Sequence, residues 1–331
     1  IHLILTLILV LFLLPGCGGS GVEIEEPEIE GAEIEEPEIE VSEADTYRLP
    51  DTGQETCYDN TTGIICGSEF DGQDAHYTIN PLSYTSDTDT VTDNNTGLIW
   101  QRQDDDTTRD YNTAVDYCNN STLGSQSDWR LPDKKELASI VNYGKYPAIH
   151  DAFSETKSSE YWSSTTYAND TSFAWSVSFS YLGVVTNLKT NSYFVRCVRG
   201  QVSASTLEDQ GDSTVLDKKT RLVWQQDPTD GTFTWEAAIS YCEDLALAGN
   251  SDWRLPNARE LESITYDSTS DPAIDETYFE ETNPPNDYYW WSSTTSYSLL
   301  NAAWYVSFNY GAVGRMYKTD SYYVRCVRSG Q

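Results

Sequence analysis

The chain has 331 residues, 53 acidic and 20 basic, for a net charge of −33. A surface this acidic repels phosphate backbones and anionic lipid headgroups, which argues against nucleic acid as a partner. Three histidines and no Cys-x-x-Cys spacing argue against a zinc site.

Ile1–Leu14 is an apolar run broken only by His2 and Thr6. It suits the core of a secretory signal and falls short of the about 20 residues a membrane span needs. Without an initiating Met or a cationic leader, residues 1–17 are expected to be a signal peptide lacking its true start. Leu14-Pro15-Gly16-Cys17 resembles the bacterial lipobox, which makes Cys17 the expected acylation site and the lipid anchor the only expected contact with a membrane. Each buried CH₂ of an acyl chain contributes about 0.8 kcal/mol, so several chains would hold the protein stably. Gly18 stands where an aspartate would resemble an inner-membrane retention signal, so the expected destination is the bacterial outer membrane or cell surface.

Residues 18–45 contain GVEIEEPEIE followed by GAEIEEPEIE, with ten glutamates and no cation between Glu23 and Glu40. Such a segment has too little apolar surface to fold, and self-repulsion extends it into a disordered acidic stalk. With Pro27 and Pro37 stiffening it, it would reach about 3 Å per residue. Without those ten glutamates, 43 acidic residues still face 20 basic ones, so the remainder carries −23. Residues 46–89 are rich in Gly, Asp and Tyr without a helical period, and Cys57 and Cys66 lie nine apart. This reads as a small disulfide-pinned lead-in packed on the domain that begins at Thr90.

The rest is written twice. DWRLPDKKEL at 128–137 returns as DWRLPNAREL at 252–261, an offset of 124. TVTDNNTGLIWQ from Thr90 returns as TVLDKKTRLVWQ from Thr214 at the same offset. YWSST at Tyr161 returns as WWSST at Trp290, and YFVRCVR at Tyr193 as YYVRCVR at Tyr322, now offset by 129. Blocks in one order and nearly one spacing define a tandem duplication, residues 90–200 and 214–329. It maps Cys118 and Cys197 onto Cys242 and Cys326, so the expected disulfides are Cys118–Cys197 and Cys242–Cys326. An exported protein meets an oxidising compartment that permits them.

Within each copy, β-branched and aromatic residues flank an Asn/Gly turn at 93–97, a strand-turn-strand signal. Arg221 replaces Gly97 in copy two and leaves the positive φ of that turn open there. Ala114, Tyr117 and Cys118, like Ala238, Tyr241 and Cys242, recur at helical spacing, which predicts helices over Tyr111–Asn119 and Trp235–Leu247 with Asp110 and Thr234 as N-caps. Asp133 with Glu136, and Asn257 with Glu260, have the spacing of capping boxes opening a second helix. Alternation at Trp175–Tyr181 and Trp304–Tyr310 predicts a strand apolar on one face, and YFVRCVR a closing strand. Hairpin, two helices, then strands make the class α+β.

The candidate chemistry is sparse. Trp129, Trp253, Trp162 and Trp291 read as buried aromatic anchors rather than sugar-stacking platforms. Arg130, Arg196 and Arg199, repeated as Arg254, Arg325 and Arg328, read as internal partners for carboxylates or backbone carbonyls. The Ser-Ser-Thr after each Trp has no nearby base. His2, His76 and His150 have no counterparts in copy two. Asp104, Asp106, Asp227 and Asp230 hold equivalent loop positions and could take Ca²⁺, but match no EF-hand spacing, and a solvated acidic loop is the preferred reading. No cofactor and no catalytic residue is expected.

The blocks TGLIWQ, WRLPDKKEL, YWSST and VRCVR resemble the bacterial Lcl C-terminal domain family, over residues 90–200 and 214–329. More distantly, two helices on a small mostly antiparallel sheet, with a disulfide from helix one to the last strand, are similar to the C-type lectin-like fold. The resemblance implies two tandem C-type lectin-like domains and a non-catalytic surface lipoprotein that adheres to, or binds, a glycan or a surface protein. The alternatives are an enzyme on a scaffold like that of formylglycine-generating enzymes, and a purely structural envelope protein. The EPN, QPD and WND tripeptides of calcium-dependent lectins are absent from both repeats. The family's namesake adhesin is associated with sulfated glycosaminoglycans and a basic surface, which a body at −23 does not offer.

Overall fold

The computed structural model describes residues 47–67, 71–180, 183–228, 231–279 and 289–330. The signal segment, Cys17 and the acidic stalk lie outside these. The lead-in carries a hairpin, β1 (Cys57–Tyr58) and β2 (Gly63–Ile64), and one strand, β3 (Tyr84–Ser86). Repeat one comprises β4 (Thr90–Asp93), β5 (Ile99–Gln101), α1 (Tyr111–Asn119), α2 (Lys134–Ser139), β6 (Glu160–Thr166), β7 (Phe173–Ser178), β8 (Val184–Leu188) and β9 (Val198–Arg199). After the linker strand β10 (Leu207–Asp209), repeat two has the same order: β11 (Thr214–Asp217), β12 (Leu222–Gln225), α3 (Trp235–Glu243), α4 (Ala258–Ser263), β13 (Tyr289–Thr295), β14 (Ala302–Ser307), β15 (Val313–Tyr317) and β16 (Val327–Ser329). The class is α+β, in two tandem domains.

Each repeat has its own four-stranded antiparallel sheet, β3-β4-β5-β9 or β10-β11-β12-β16. The third sheet belongs to both: its order is β13-β14-β15-β8-β7-β6. Its halves join where Val184 pairs with Val313, antiparallel. These two residues are counterparts under the offset of 129, so the repeats meet about a local two-fold axis. Burial follows the same plan. One core runs through both repeats and includes Trp100, Trp175, Trp224, Trp290 and Trp304, while each repeat keeps a smaller outer core of helix one, the disulfide and tryptophans, two in repeat one and three in repeat two.

All ten tryptophans are buried. Each indole of this kind removes roughly 150–250 Å² from water, about 4–6 kcal/mol at 25 cal/mol per Å². Two duplicated pairs are located by their N–H groups. Trp129 and Trp253 donate to the carbonyls of Leu123 and Leu247, at 2.9 and 3.2 Å. Trp162 and Trp291 donate to those of Arg109 and Phe233, both at 2.9 Å.

The disulfides Cys57–Cys66, Cys118–Cys197 and Cys242–Cys326 are formed. Both capping boxes are present, and α1 has the bounds its periodicity predicts. Other expectations need correction. Helix α3 stops at Glu243 instead of Leu247 because Leu247 turns back to pair with Asn250, through positive φ at Ala248 and Gly249. Thr234 holds the N-cap backbone conformation, but its side chain makes no capping bond. Arg221 does take positive φ, +60°, against +74° at Gly97, and its N–H closes the turn on Asp217 O at 2.7 Å.

The strand predicted from Trp175 is buried on both faces, because Ser176 and Ser178 are small enough for their side to be covered. YFVRCVR pairs as a regular strand only at Val198–Arg199. The rest is held by single bridges, with Arg196 turned inward to the carbonyls of Gln101 and Arg102.

The lead-in does not pack on the first repeat alone. β3 pairs with β4, but residues 50–67 and 71–77 reach repeat two. Gln54 exchanges bonds with the backbone of Thr295, the Asp74 carboxylate accepts from Thr294 at 2.7 Å, and Tyr77 donates to Glu243 at 2.8 Å. As a result Ser293, Thr294 and Thr295 are buried, whereas their counterparts Ser164, Thr165 and Thr166 are half-buried.

The long disulfides close loops with sequence separations of 79 and 84 residues. Replacing Cys118 and Cys197 together by alanine should lower the unfolding free energy by about 4–5 kcal/mol. Urea unfolding monitored by tryptophan fluorescence measures it; a loss under about 1 kcal/mol would contradict the stapling role.

Candidate functional site: a cleft where the repeats meet

The RLP block is a local clamp. The Arg130 guanidinium grips Glu136 with two bonds of 2.6 Å, and Glu136 also accepts the backbone N–H of Asp133 at 2.9 Å. Arg254, Glu260 and Asn257 repeat this at 2.6–2.9 Å. One carboxylate thus closes the capping box and holds the arginine, which fixes the start of α2 and of α4.

The next position in each block reaches into the other repeat. The Lys135 ammonium donates to Ser263 O at 2.9 Å and Thr265 O at 2.6 Å, at the end of α4. The Arg259 guanidinium, its two-fold counterpart, donates to Val141 O and, at 3.5 Å, to Ala138 O, at the end of α2. Unpaired carbonyls and the negative end of a helix dipole favour a cation there. Lys134 crosses too, donating to Gly311 O at 2.9 Å and pairing with Asp267.

Beside this junction lies a cleft of about 680 Å³, lined from repeat one by Leu98, Asp133, Lys135 and Thr165, from repeat two by Glu262 and Asp267, and from the linker by 202–207. Its volume falls in the range of small-ligand sites, roughly 300–1,000 Å³. Burial pushes Glu262 up to about 7, against the pull of Lys134, and its Oε1 has no hydrogen-bond partner. Burial likewise holds Lys135 and Lys219 below the usual ammonium range and raises Asp133, which Glu136 raises further. Burial alone would raise Asp267, but the Lys134 and Lys135 ammoniums outweigh it and leave this carboxyl below its ordinary value. The cleft therefore offers two unpartnered acceptors, Glu262 Oε1 and Asp217 Oδ2, cations that retain spare protons, and apolar walls.

The sequence-predicted residues fall elsewhere. Asp104 is buried, accepts from the Tyr161 hydroxyl at 2.5 Å and lies 3.7 Å from Arg196. Asp106 pairs with Lys157 at 3.1 Å, and Asp227 is exposed. Asp230 lies outside the described residues. Among the described residues no cluster of three or more His, Cys, Asp or Glu is placed to hold a metal.

The arginines are internal partners as expected: Arg199 and Arg328 pair with Asp128 and Asp252, and Arg325 donates to the carbonyls of Gln225 and Gln226. Ser163 and Ser292 donate to the carbonyls of Trp175 and Trp304, both at 2.9 Å. His76 contacts Asp71, and His150 accepts from the backbone of Ala152. Sequence reasoning does not reach Lys135, Arg259, Glu262 or Asp267. The one signal for them is a cation at the same place in both RLP blocks of a cation-poor chain.

Comparison with known families matches the Lcl C-terminal domain over residues 89–199 and again over 213–328. No curated protein matches the chain.

Two measurements test this junction. Arg259→Ala orphans the carbonyls of Val141, Pro50 and Asp51 and should lower stability in urea by at least about 2 kcal/mol. Asp51, Asp74 and Glu262 are raised, chiefly by burial, to about 8, 6 and 7. Between about pH 4 and 8 the folded chain then binds more protons than the unfolded one, so stability falls as pH rises through that window. The melting temperature should be higher at pH 5 than at pH 8, and Glu262→Gln should flatten the slope; a flat wild-type profile would show that these groups titrate normally.

Proposed function

The chain belongs to the Lcl C-terminal domain family, in two tandem copies, and on that premise we propose that it is a non-catalytic, lipid-anchored surface protein whose fused repeats bind a glycan or protein ligand. The observation that carries this is the ligand-sized cleft at the repeat junction, with its unpartnered Glu262 oxygen. The three disulfides fit an exported protein. Acylated Cys17 and the acidic stalk would hold the repeats away from the membrane, at the outer membrane or cell surface.

Two further features favour binding over the enzyme alternative. Both cysteines of each repeat are joined to each other, so neither repeat offers the reactive thiol that alternative needs. The Ser-Ser-Thr segments serve the backbone, Ser163 and Ser292 through carbonyls and Thr165 and Thr294 through the N–H groups that open α2 and α4. The buried tryptophans leave tyrosines such as Tyr266, Tyr310 and Tyr317 as the exposed aromatic rings, so stacking on tryptophan is not the mode of recognition.

A glycan array and a panel of purified surface proteins, each probed with calcium and again with chelator, test the reading. Binding that survives the chelator is the expected result. Binding lost in chelator would move the site to the acidic loop of Asp104 and Asp106, and no binding at all would favour a structural envelope role.

A further inference from the structure

The two-fold axis gives the cleft a counterpart, and that counterpart is full. On repeat two the matching residues Thr220, Leu222, Asn257 and Glu260 line a remnant of about 170 Å³, against about 680 Å³ for the open cleft. The difference is the chain's own lead-in. The Pro50 and Asp51 carbonyls accept from Arg259, the Thr52 carbonyl accepts from the Tyr143 amide at 2.9 Å, and Asp74 receives the Thr294 hydroxyl.

Each of these groups has an unsatisfied equivalent across the axis. Lys135 takes the place of Arg259 and uses two of its three protons. Asp267 takes the place of Tyr143, and its amide donates to no described residue. Thr165 takes the place of Thr294: both accept a backbone N–H at 2.9 Å, from Lys134 and Ala258, but the Thr165 proton has no recipient among the described residues. We propose that the open cleft binds an extended peptide segment of another protein, in the place the lead-in takes on repeat two, with its backbone carbonyls on Lys135 and the Asp267 amide. This rests on the binding role proposed above and names the ligand class.

Charge selects among peptides. Where repeat one has Ala138 beside the filled slot, repeat two has Glu262 beside the open one, 2 % exposed with Oε1 unpaired, and Asp133 and Asp267 stand nearby. A donor side chain satisfies that oxygen, so the partner segment is neutral or basic. The acidic body steers such a segment inward and repels acidic ones.

The test is calorimetric titration of the full chain with two peptides: Arg-Leu-Pro-Asp-Thr-Gly-Gln, the sequence of residues 48–54, and the same peptide carrying Asp51→Lys. One site per chain is expected, with the lysine form at least about tenfold tighter. Ser268→Trp, at an exposed position lining the cleft, should weaken both at least about tenfold without moving the melting temperature. No binding at millimolar peptide, or equal binding to Ser268→Trp, overturns the proposal. Failed peptides alongside a positive glycan array would overturn the ligand class and leave the binding role standing; failure of both would remove that role as well.

Discussion

The tandem pair depends on a reciprocal capping across a two-fold axis. Helices α2 and α4 are six residues each, too short to be stable alone, and each ends in carbonyls that its own repeat does not satisfy. Arg259 supplies the donors for the first and Lys135 for the second. Either repeat in isolation would leave a buried helix end unpaired and a buried cation without its acceptors, both costly in a low-dielectric interior. The shared six-stranded sheet, joined where Val184 meets Val313, and the core that crosses it accompany the same pairing. The duplication is therefore one folding body rather than two domains on a string.

Once the axis is fixed, departures from symmetry carry the information. Ala138, Val141 and Tyr143 in repeat one stand opposite Glu262, Thr265 and Asp267 in repeat two. The apolar set faces the lead-in, with Tyr143 edge-on to Trp304 at 5.3 Å, and the polar set faces the cleft. Lead-in and linker also differ in reach. Residues 50–54 and 71–77 of the lead-in fill one slot, while the linker 200–213 only borders the other. The asymmetry of the surface thus comes from the course of the chain as much as from side chains.

Much of this fold is legible in the sequence because its determinants are local or duplicated. The capping boxes of Asp133 and Asn257, the outer disulfides and the internal partners of Arg196 and Arg325 follow from spacing and from a cation-poor composition that puts most arginines to structural use. The illegible part depends on distant contacts. Gln54 meets Thr295 across 241 residues, and neither has a pattern that names the other. The lead-in uses backbone carbonyls as its main adhesive, and every residue has one. The end of α3 escapes the periodicity because apolar Leu245 and Leu247 continue the helical spacing, while the positive φ at Ala248 that turns the chain back is invisible in an alanine.

For a related reason the repeated motifs do not mark the site. A block such as WRLP…E recurs because each repeat must bury the same indole and clamp the same helix start, and both copies consume those groups fully. Residues consumed by the fold have nothing left for a ligand. In the proposed binding role, recognition falls instead to groups that the duplication brought together and did not pair: the Glu262 oxygen, the third Lys135 proton, the Thr165 proton. None lies in a complete site within one repeat, since Lys135 and Thr165 come from the first and Glu262 from the second. A single copy of the domain could not form this cleft, and its chemistry is a property of the pair.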